Sequence, residues 1–279
     1  MTGYKRIRRK AEPMYIYPLI PFPALVLEGE RRILVIADLH IGWEVSLSQQ
    51  GIHIPSQVSR LTSKVLGAVE LSGAEELLIL GDVKHTVARA EIEEWRDVPS
   101  FFEEALAVVG SVSVVPGNHD GNLEGLLPAG VKLFSSTGTS MDGVALFHGH
   151  SLPSPKILKG CSRLVMAHMH PVIALRDKMG FKILQQVWVR ARCEAGKLLG
   201  ILRRRYRNVD DLELGEWISC TILPSFNDLL GGRAVNSDSG DGEYMGPLMR
   251  SGAIDLDEGE VFLLDGTYLG KIQRLKYPT

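Results

Sequence analysis

Aspartate and histidine recur in this sequence at the ends of apolar runs, at spacings that aim them together. Asp38-Leu39-His40, Gly81-Asp82, Asn118-His119-Asp120, His148-Gly149-His150 and His168-Met169-His170 each follow such a run. Asp38 and His40 are two apart, as are His168 and His170. In extended chain that spacing puts both side chains on one face, so each pair can aim at one point. Asp82 adds an anion, Asn118 a neutral oxygen and His148 another imidazole. Imidazoles mixed with carboxylates suit manganese, iron or zinc and serve calcium poorly. Two such cations, ~3.5–4 Å apart, need a shared anionic ligand, and Asp82 is the natural bridge. Such a site is suited to in-line attack on phosphorus: a bridging water loses its proton at neutral pH, and positive charge neutralises the non-bridging oxygens. Any one of these residues alone is more often a cap or a hydrogen-bonded core group. Five endings of one kind in one chain are not explained by capping.

The elements that must position them can be read from the apolar pattern. Ile33–Ala37, Leu77–Leu80, Val112–Val115, Val144–Phe147 and Leu164–Ala167 read as buried strands, and layered α/β folds bind ligands at the carboxyl ends of such strands. Ala24–Leu27 and Arg31–Ala37 flank Glu28-Gly29-Glu30 as a hairpin. Val58, Leu61, Val65, Leu66 and Val69 recur at helical spacing after Pro55, and Ser72-Gly73 closes that helix. A second helix is expected over Glu91–Val109, interrupted at Pro99. Val131–Phe134, Phe181–Val189 and Trp217–Leu223 read as further strands, with a turn region over Ser135–Gly143. Val261–Leu264 and Tyr268–Leu275 read as strands joined by a hairpin at Asp265-Gly266. Residues 1–24 read as a basic, proline-punctuated arm without an element of its own, and residues 25–279 as one domain. Within that domain lie a motif core at 33–171, C-terminal strands at 181–275 and a mobile Gly/Ser/Asp-rich loop at 236–252.

Composition sets the outer bounds. The 279 residues suffice for a substantial core, and 45% hydrophobic with 23% charged residues is ordinary for a globular enzyme. A net charge of −2 gives no global attraction to nucleic acid, so any such binding must be local. The three cysteines, Cys161, Cys193 and Cys220, form no CxxC, which excludes a zinc knuckle and favours a reducing compartment. Lys5–Lys10 precede an apolar stretch as in a signal peptide, but Pro13, Pro18, Pro21 and Pro23 break it. No run approaches the ~20 apolar residues of a membrane span, so a cytoplasmic location is expected.

Taken in order, Asp38-Leu39-His40, Gly81-Asp82, Gly117-Asn118-His119-Asp120, His148-Gly149-His150 and Ala167-His168-Met169-His170 resemble the signature of the calcineurin-like metallophosphoesterases. The resemblance implies a four-layer α-β-β-α sandwich with a two-metal site at one edge. It implies that Asp38, His40, Asp82 and His170 hold the first ion, and that Asp82, Asn118, His148 and His168 hold the second. His119 would then stabilise the phosphate or protonate the leaving group, while His150 and Asp120 would stand behind the ligands or face the phosphate. The implied cofactors are two divalent ions, manganese foremost, with iron, zinc, nickel or magnesium also compatible. Where the family's last motif begins with glycine, this chain has Ala167, which a turn accepts if φ stays negative.

His85, three residues after Asp82, resembles the SbcD-type double-strand-break repair nucleases, and Asp38-Leu39-His40-Ile41-Gly42-Trp43-Glu44, with Pro224-Ser225-Phe226-Asn227 and Gly231-Gly232, resembles a group of small SbcD-related phosphoesterases, including archaeal ones. His85 and the basic run described next favour DNA or RNA as substrate, with His85 catalytic by orienting the phosphate, and a second copy or a DNA-repair protein as partner. Pro224–Gly232 reads equally well as a structural turn. The run Arg190, Arg192, Lys197, Arg203, Arg204, Arg205, Arg207 could track a phosphate backbone, or form a solvated face balanced by Asp210, Asp211, Glu213 and Glu216. Three function classes follow: a nuclease or phosphodiesterase acting through a bridging hydroxide, a phosphomonoesterase or small-nucleotide hydrolase, and a silent interaction module. The intact ligand set disfavours the last. Because Asp82 alone can bridge two ions, hydrolysis is expected to need added transition metal, and Asp82→Asn to abolish it while circular dichroism stays that of the parent. Full activity of a folded Asp82→Asn protein in chelator would remove the two-metal reading.

Overall fold

A computed structural model of the chain describes residues 14–87, 91–177, 179–237 and 246–276. Two sheets stack face to face with helices on both outer sides. The first has the order β1 (Tyr15–Pro18), β2 (Leu25–Glu28), β3 (Arg32–Ile36), β4 (Glu76–Leu80), β5 (Ser111–Val115), β6 (Val131–Leu133). β3 to β6 run parallel, joined by crossovers that carry α2 (Val58–Ser72) and α3 (Ile92–Val108). The short α1 (Trp43–Ser48), which the pattern did not announce, follows β3 directly.

The second sheet centres on β7 (Thr139–Met141), β8 (Val144–Phe147), β9 (Arg163–Met166), β10 (Pro171–Arg176), the long β11 (Lys182–Glu194) and β12 (Trp217–Ile222). β13 (Arg233–Ala234) edges β10, and the hairpin of β14 (Ile254–Leu263) with β15 (Tyr268–Lys271) adds to β11. Its outer face is covered by α4 (Pro155–Leu158), α5 (Ala195–Arg203), α6 (Pro247–Arg250) and α7 (Ile272–Leu275). Strand alternation builds the layers. Leu34, Ile36, Leu77 and Ile79 pack on α2 and α3, whereas Ile33, Val35, Leu78 and Leu80 face Val144, Leu146 and Val165 of the other sheet. This is the expected α-β-β-α sandwich. The three cysteines are buried and free.

Several local expectations are corrected. Tyr15–Pro18, inside the segment read as an arm, is an edge strand paired with β2, a place where proline is tolerated; residues 1–13 lie outside the described residues. Within the turn region Ser135–Gly143, Thr139–Met141 is a strand. Of the loop at 236–252, residues 238–245 lie outside the described residues, but Pro247–Arg250 is helical because Leu248 and Met249 bury on the second sheet. Tyr268–Leu275 is a strand only to Lys271; Ile272 then turns inward and is buried.

Pro99 does not interrupt α3. It withholds the N–H that would bond the Trp95 carbonyl, at a cost of ~3 kcal/mol, but Val98, Phe101, Phe102 and Ala105 are buried on the opposite face. Two phenyl groups at ~2–3 kcal/mol each outweigh the loss. Pro99→Ala should therefore raise the urea midpoint, by up to ~3 kcal/mol of unfolding free energy, and Phe101→Ala should lower it by ~3–5 kcal/mol. A Pro99→Ala midpoint at or below the parent's would contradict this account.

Candidate active site

β3, β4 and β5 end side by side at one edge of the sandwich, and β8 and β9 end opposite them. The loops stay in register past the strands: Asp38 N–H donates to the Gly81 carbonyl at 3.0 Å, and His40 N–H to the Asp82 carbonyl at 2.9 Å. Asp38, His40, Asp82, His168 and His170 all hold positive φ, five of the seven non-glycine residues that do so among the described residues. Each costs of order 1–3 kcal/mol and persists where surrounding structure enforces it, commonly at functional sites. Two glycines give the room. A Cβ on Gly117 would overlap the Asp82 carboxylate, and one on Gly81 (φ 81°) would overlap the His148 ring. Ala167, by contrast, is not among the positive-φ residues, so its methyl is accommodated.

The side chains converge. Candidate ligand atoms of Asp38, His40 and His170 lie within 4.8 Å of one another, as do those of Asp82, His148 and His168, and those of His40, His85 and His119. His40 Nε2 lies 3.5 Å and His148 Nε2 3.2 Å from Asp82 Oδ2, and His170 Nε2 is 3.3 Å from Asp38 Oδ1. Both Asp38 oxygens, His40 Nε2 and His148 Nε2 are nevertheless buried without a hydrogen-bond partner. The other ring nitrogens are already used: His148 Nδ1 meets the Leu80 carbonyl at 2.7 Å, His40 Nδ1 the His85 Nδ1 at 3.2 Å, and His170 Nδ1 the Gly231 carbonyl at 3.3 Å. An imidazole held by its Nδ1–H presents its Nε2 lone pair, as metal-ligating histidines do. Orphaned oxygens and nitrogens aimed at common points, in a mixed carboxylate–imidazole set, fit divalent metal.

Without metal, protons do the neutralising. Burial opposes charge on His148, but Asp82 and Asp38 outweigh it and raise the group to about 9. Asp82 is held well below the usual carboxylate range, its burial overcome chiefly by His148. Burial drives His40 down to about 3 and His168 to about 4.

Asn118 is exposed and lines the cleft, a cavity of about 390 Å³ walled by His40, Asp82, His168 and His170, with His85 and His119 on its rim and Leu230 and Gly231 closing it. The His85 and His119 rings stack at 5.6 Å, and His119 Nδ1 hydrogen-bonds the His85 carbonyl. That leaves His119 Nε2 as the nitrogen not tied to the backbone. His150 sits 5.2 Å from the His148 ring, beside the second cluster and off the cleft lining. Asp120 is buried and faces backbone: it accepts from Val83 N–H at 2.9 Å and Gly117 N–H at 2.8 Å, stapling the Asp82 and Asn118 loops. Arg203, Arg204 and Arg205 are exposed at the end of α5, outside the cluster, and Arg203 pairs with Asp210 at 3.0 Å. Arg190 pairs with Glu260 and Lys197 with Glu194, so much of the basic run is balanced locally.

One supporting residue was not singled out in the sequence, and a second lies in the turn that was. Glu94, fully buried, accepts from His85 N–H at 3.0 Å and Thr86 N–H at 2.7 Å; its only signal was the capping pair Glu91-x-x-Glu94. Asn227 donates to the Leu39 carbonyl at 3.0 Å, and Phe226 N–H to Ala37 at 2.7 Å, so Pro224–Asn227 is a brace for the Asp38 loop.

The sequence profile of the calcineurin-like phosphoesterases matches residues 31–188, more than half of the chain. The chain belongs to that family. Its members are hydrolases that use divalent metals, which agrees with the clusters described. No curated protein matches the sequence. Among solved structures, the Pseudomonas putida nuclease MPE superposes with a TM-score of 0.53 at 18% identity, covering 92% of this chain and 100% of its own. The E. coli phosphoesterase Yfce superposes with a TM-score of 0.37 at 18% identity, covering 86% of this chain and 97% of its own. Among the described residues no helix of this phosphoesterase is long and apolar enough to cross a membrane.

The charge state of His148 generates a pH prediction. Its folded-state value, about 9, lies above the ordinary 6.5. Its ion pair therefore stabilises the metal-free protein fully below pH 6.5 and is lost as pH rises through about 9. His170, also raised, acts with the same sign. The Tm of metal-free protein should fall across that window, and metal uptake at pH 7–8 should release about one proton or more, read by calorimetry in buffers of different ionisation enthalpy. Proton-independent metal binding with a flat Tm would refute the assignment.

Proposed function

We propose that this phosphoesterase is a metal-dependent phosphodiesterase that cleaves DNA or RNA, in the SbcD-related part of its family. Asp38, His40, Asp82 and His170 hold one ion, manganese foremost, and Asp82, Asn118, His148 and His168 hold a second. The single observation that carries this reading is the pair of ligand clusters on either side of Asp82. Bound there, two divalent ions supply a deprotonated water and neutralise charge on the phosphate.

The remaining work falls to the chain itself. Asp82 is fixed by His119 N–H, which donates to its Oδ1 at 2.9 Å. His119, anchored through Nδ1 on the His85 carbonyl, can present a proton at Nε2 to the departing oxygen. His85, itself locked by Glu94, orients the phosphate from the rim. The nuclease named among the solved structures shares the fold and accords with a polynucleotide substrate. Arg203, Arg204 and Arg205 add long-range attraction for that polyanion.

A panel of small phosphodiesters and phosphomonoesters, with labelled single- and double-stranded DNA and RNA, assayed with manganese, tests the class. Cleavage of diesters and nucleic acid is expected; turnover of monoesters alone would overturn the reading. His119→Ala should retain metal and lose turnover by ~10²–10⁴-fold. If metal occupancy collapses instead, His119 is a ligand and its assigned role is wrong.

A further inference from the structure

β10 leaves the active site directly from His170 and turns back as β11, and this pair stands above the catalytic edge. Register gives its height. Val189 of β11 pairs with Ile222 of β12, which pairs with Met166 at the end of β9, so Val189 is level with the strand end that delivers His168. From Val189 back to Lys182 the strand runs a further ~23 Å at about 3.3 Å per residue. Gln186, at its base, is tied to the Ser225 carbonyl at 2.9 Å, beside the brace of the Asp38 loop. The turn is shaped by Asp177, whose Oδ1 accepts from Met179 N–H and Phe181 N–H, both at 2.9 Å.

What this ribbon exposes is unusual for a free surface. Met179 is 82% exposed, Phe181 65% and Ile183 53%. Arg176 and Lys182 are paired directly across the ribbon, both exposed and with no ion pair among the described residues. Like charges directly opposite destabilise a strand pair, so an anion that bridges them is a favourable partner. Arg176 and Lys182 share one face of the ribbon and Phe181 with Ile183 the other, since successive side chains alternate. Cations and exposed aromatics around one strand are the ingredients of single-strand nucleic-acid binding, and apolar side chains at a hairpin tip serve as wedges between bases.

We propose that the tip of the β10–β11 ribbon is a nucleic-acid-engaging arm beyond the active site. Arg176 and Lys182, ~20 Å or more past the strand ends at about 3.3 Å per residue, grip phosphates several nucleotides from the scissile one, and Phe181, with Met179, stacks on or wedges apart the bases there. The substrate it selects is a polynucleotide whose unpaired stretch extends several nucleotides from the cleavage position, such as a frayed end. This rests on the phosphodiesterase reading above and extends it.

The test compares the parent with Arg176→Gln/Lys182→Gln and with Phe181→Ser, manganese-loaded, on a small chromogenic phosphodiester and on labelled single-stranded, frayed and blunt DNA and RNA. The chromogenic rate should be unchanged in both variants, which also reports folding. The charge variant should lower the salt slope of nucleic-acid binding by roughly two units. Phe181→Ser should lose roughly tenfold in affinity for unpaired ends and most of the preference for them over blunt duplex. A parent that hydrolyses the small diester but cleaves no nucleic acid overturns the polynucleotide reading and the hairpin's role together. A parent that cleaves nucleic acid, with both variants cleaving and binding alike, overturns the hairpin's role alone. Sedimentation of parent and Phe181→Ser completes the set. Association lost in the variant, with nucleic-acid affinity unchanged, would make the hairpin an interface between copies and refute the proposal.

Discussion

Two carboxylates, Asp38 and Asp82, lie buried at one edge of the sandwich, 0% and 2% exposed. Buried negative charge is tolerable only when positive charge or hydrogen-bond donors surround it, and much of the local structure answers that demand. Imidazoles from both sheets close on the pair, and without metal His148 carries a proton between them. The same crowding makes the site a cation trap. Divalent metal bound there would replace the protons and add favourable electrostatic energy at a cluster whose backbone holds five positive-φ positions.

Neither sheet could form this site alone. The first supplies Asp38, Asp82 and Asn118, and the second supplies His148, His168 and His170. What holds the halves in register is the dry layer between the sheets, where Val35, Leu78 and Leu80 meet Val144, Leu146 and Val165. Close packing there transmits small displacements, so a void under the site would be felt as a misplaced ligand.

The loops that carry these side chains are bound in turn by polar groups from elsewhere. Asp120 staples two of them, Asn227 reaches the Leu39 carbonyl, and Glu94 gathers the N–H groups of His85 and Thr86. Each occupies backbone donors or acceptors that would otherwise be buried and unpaired. The irregular edge is thereby tied to neighbouring elements. The β10–β11 ribbon is the exception: it rises past that edge with its apolar and cationic side chains uncovered.

Most of the central architecture was legible in the sequence. An apolar run followed by Asp, Asn or His is a local pattern, and burial on both faces of a strand leaves it unmistakable. The five runs place their terminal residues together as that pattern implies, and α2 with its Gly73 end follows from helical periodicity. What local pattern could not give was decided by contacts between distant segments. Basic residues and prolines near the N-terminus suggested an arm until a sheet edge at β2 offered Tyr15–Pro18 a partner. Pro99 suggested a break until Phe101 and Phe102 found the first sheet. Glu94 looks like an ordinary surface residue in one dimension, and Asn227 like one member of a turn, because the backbone groups they hold, at His85 and Leu39, belong to other elements. The height of the β10–β11 ribbon is a matter of register between strands, which depends on which residues pair rather than on which residues they are.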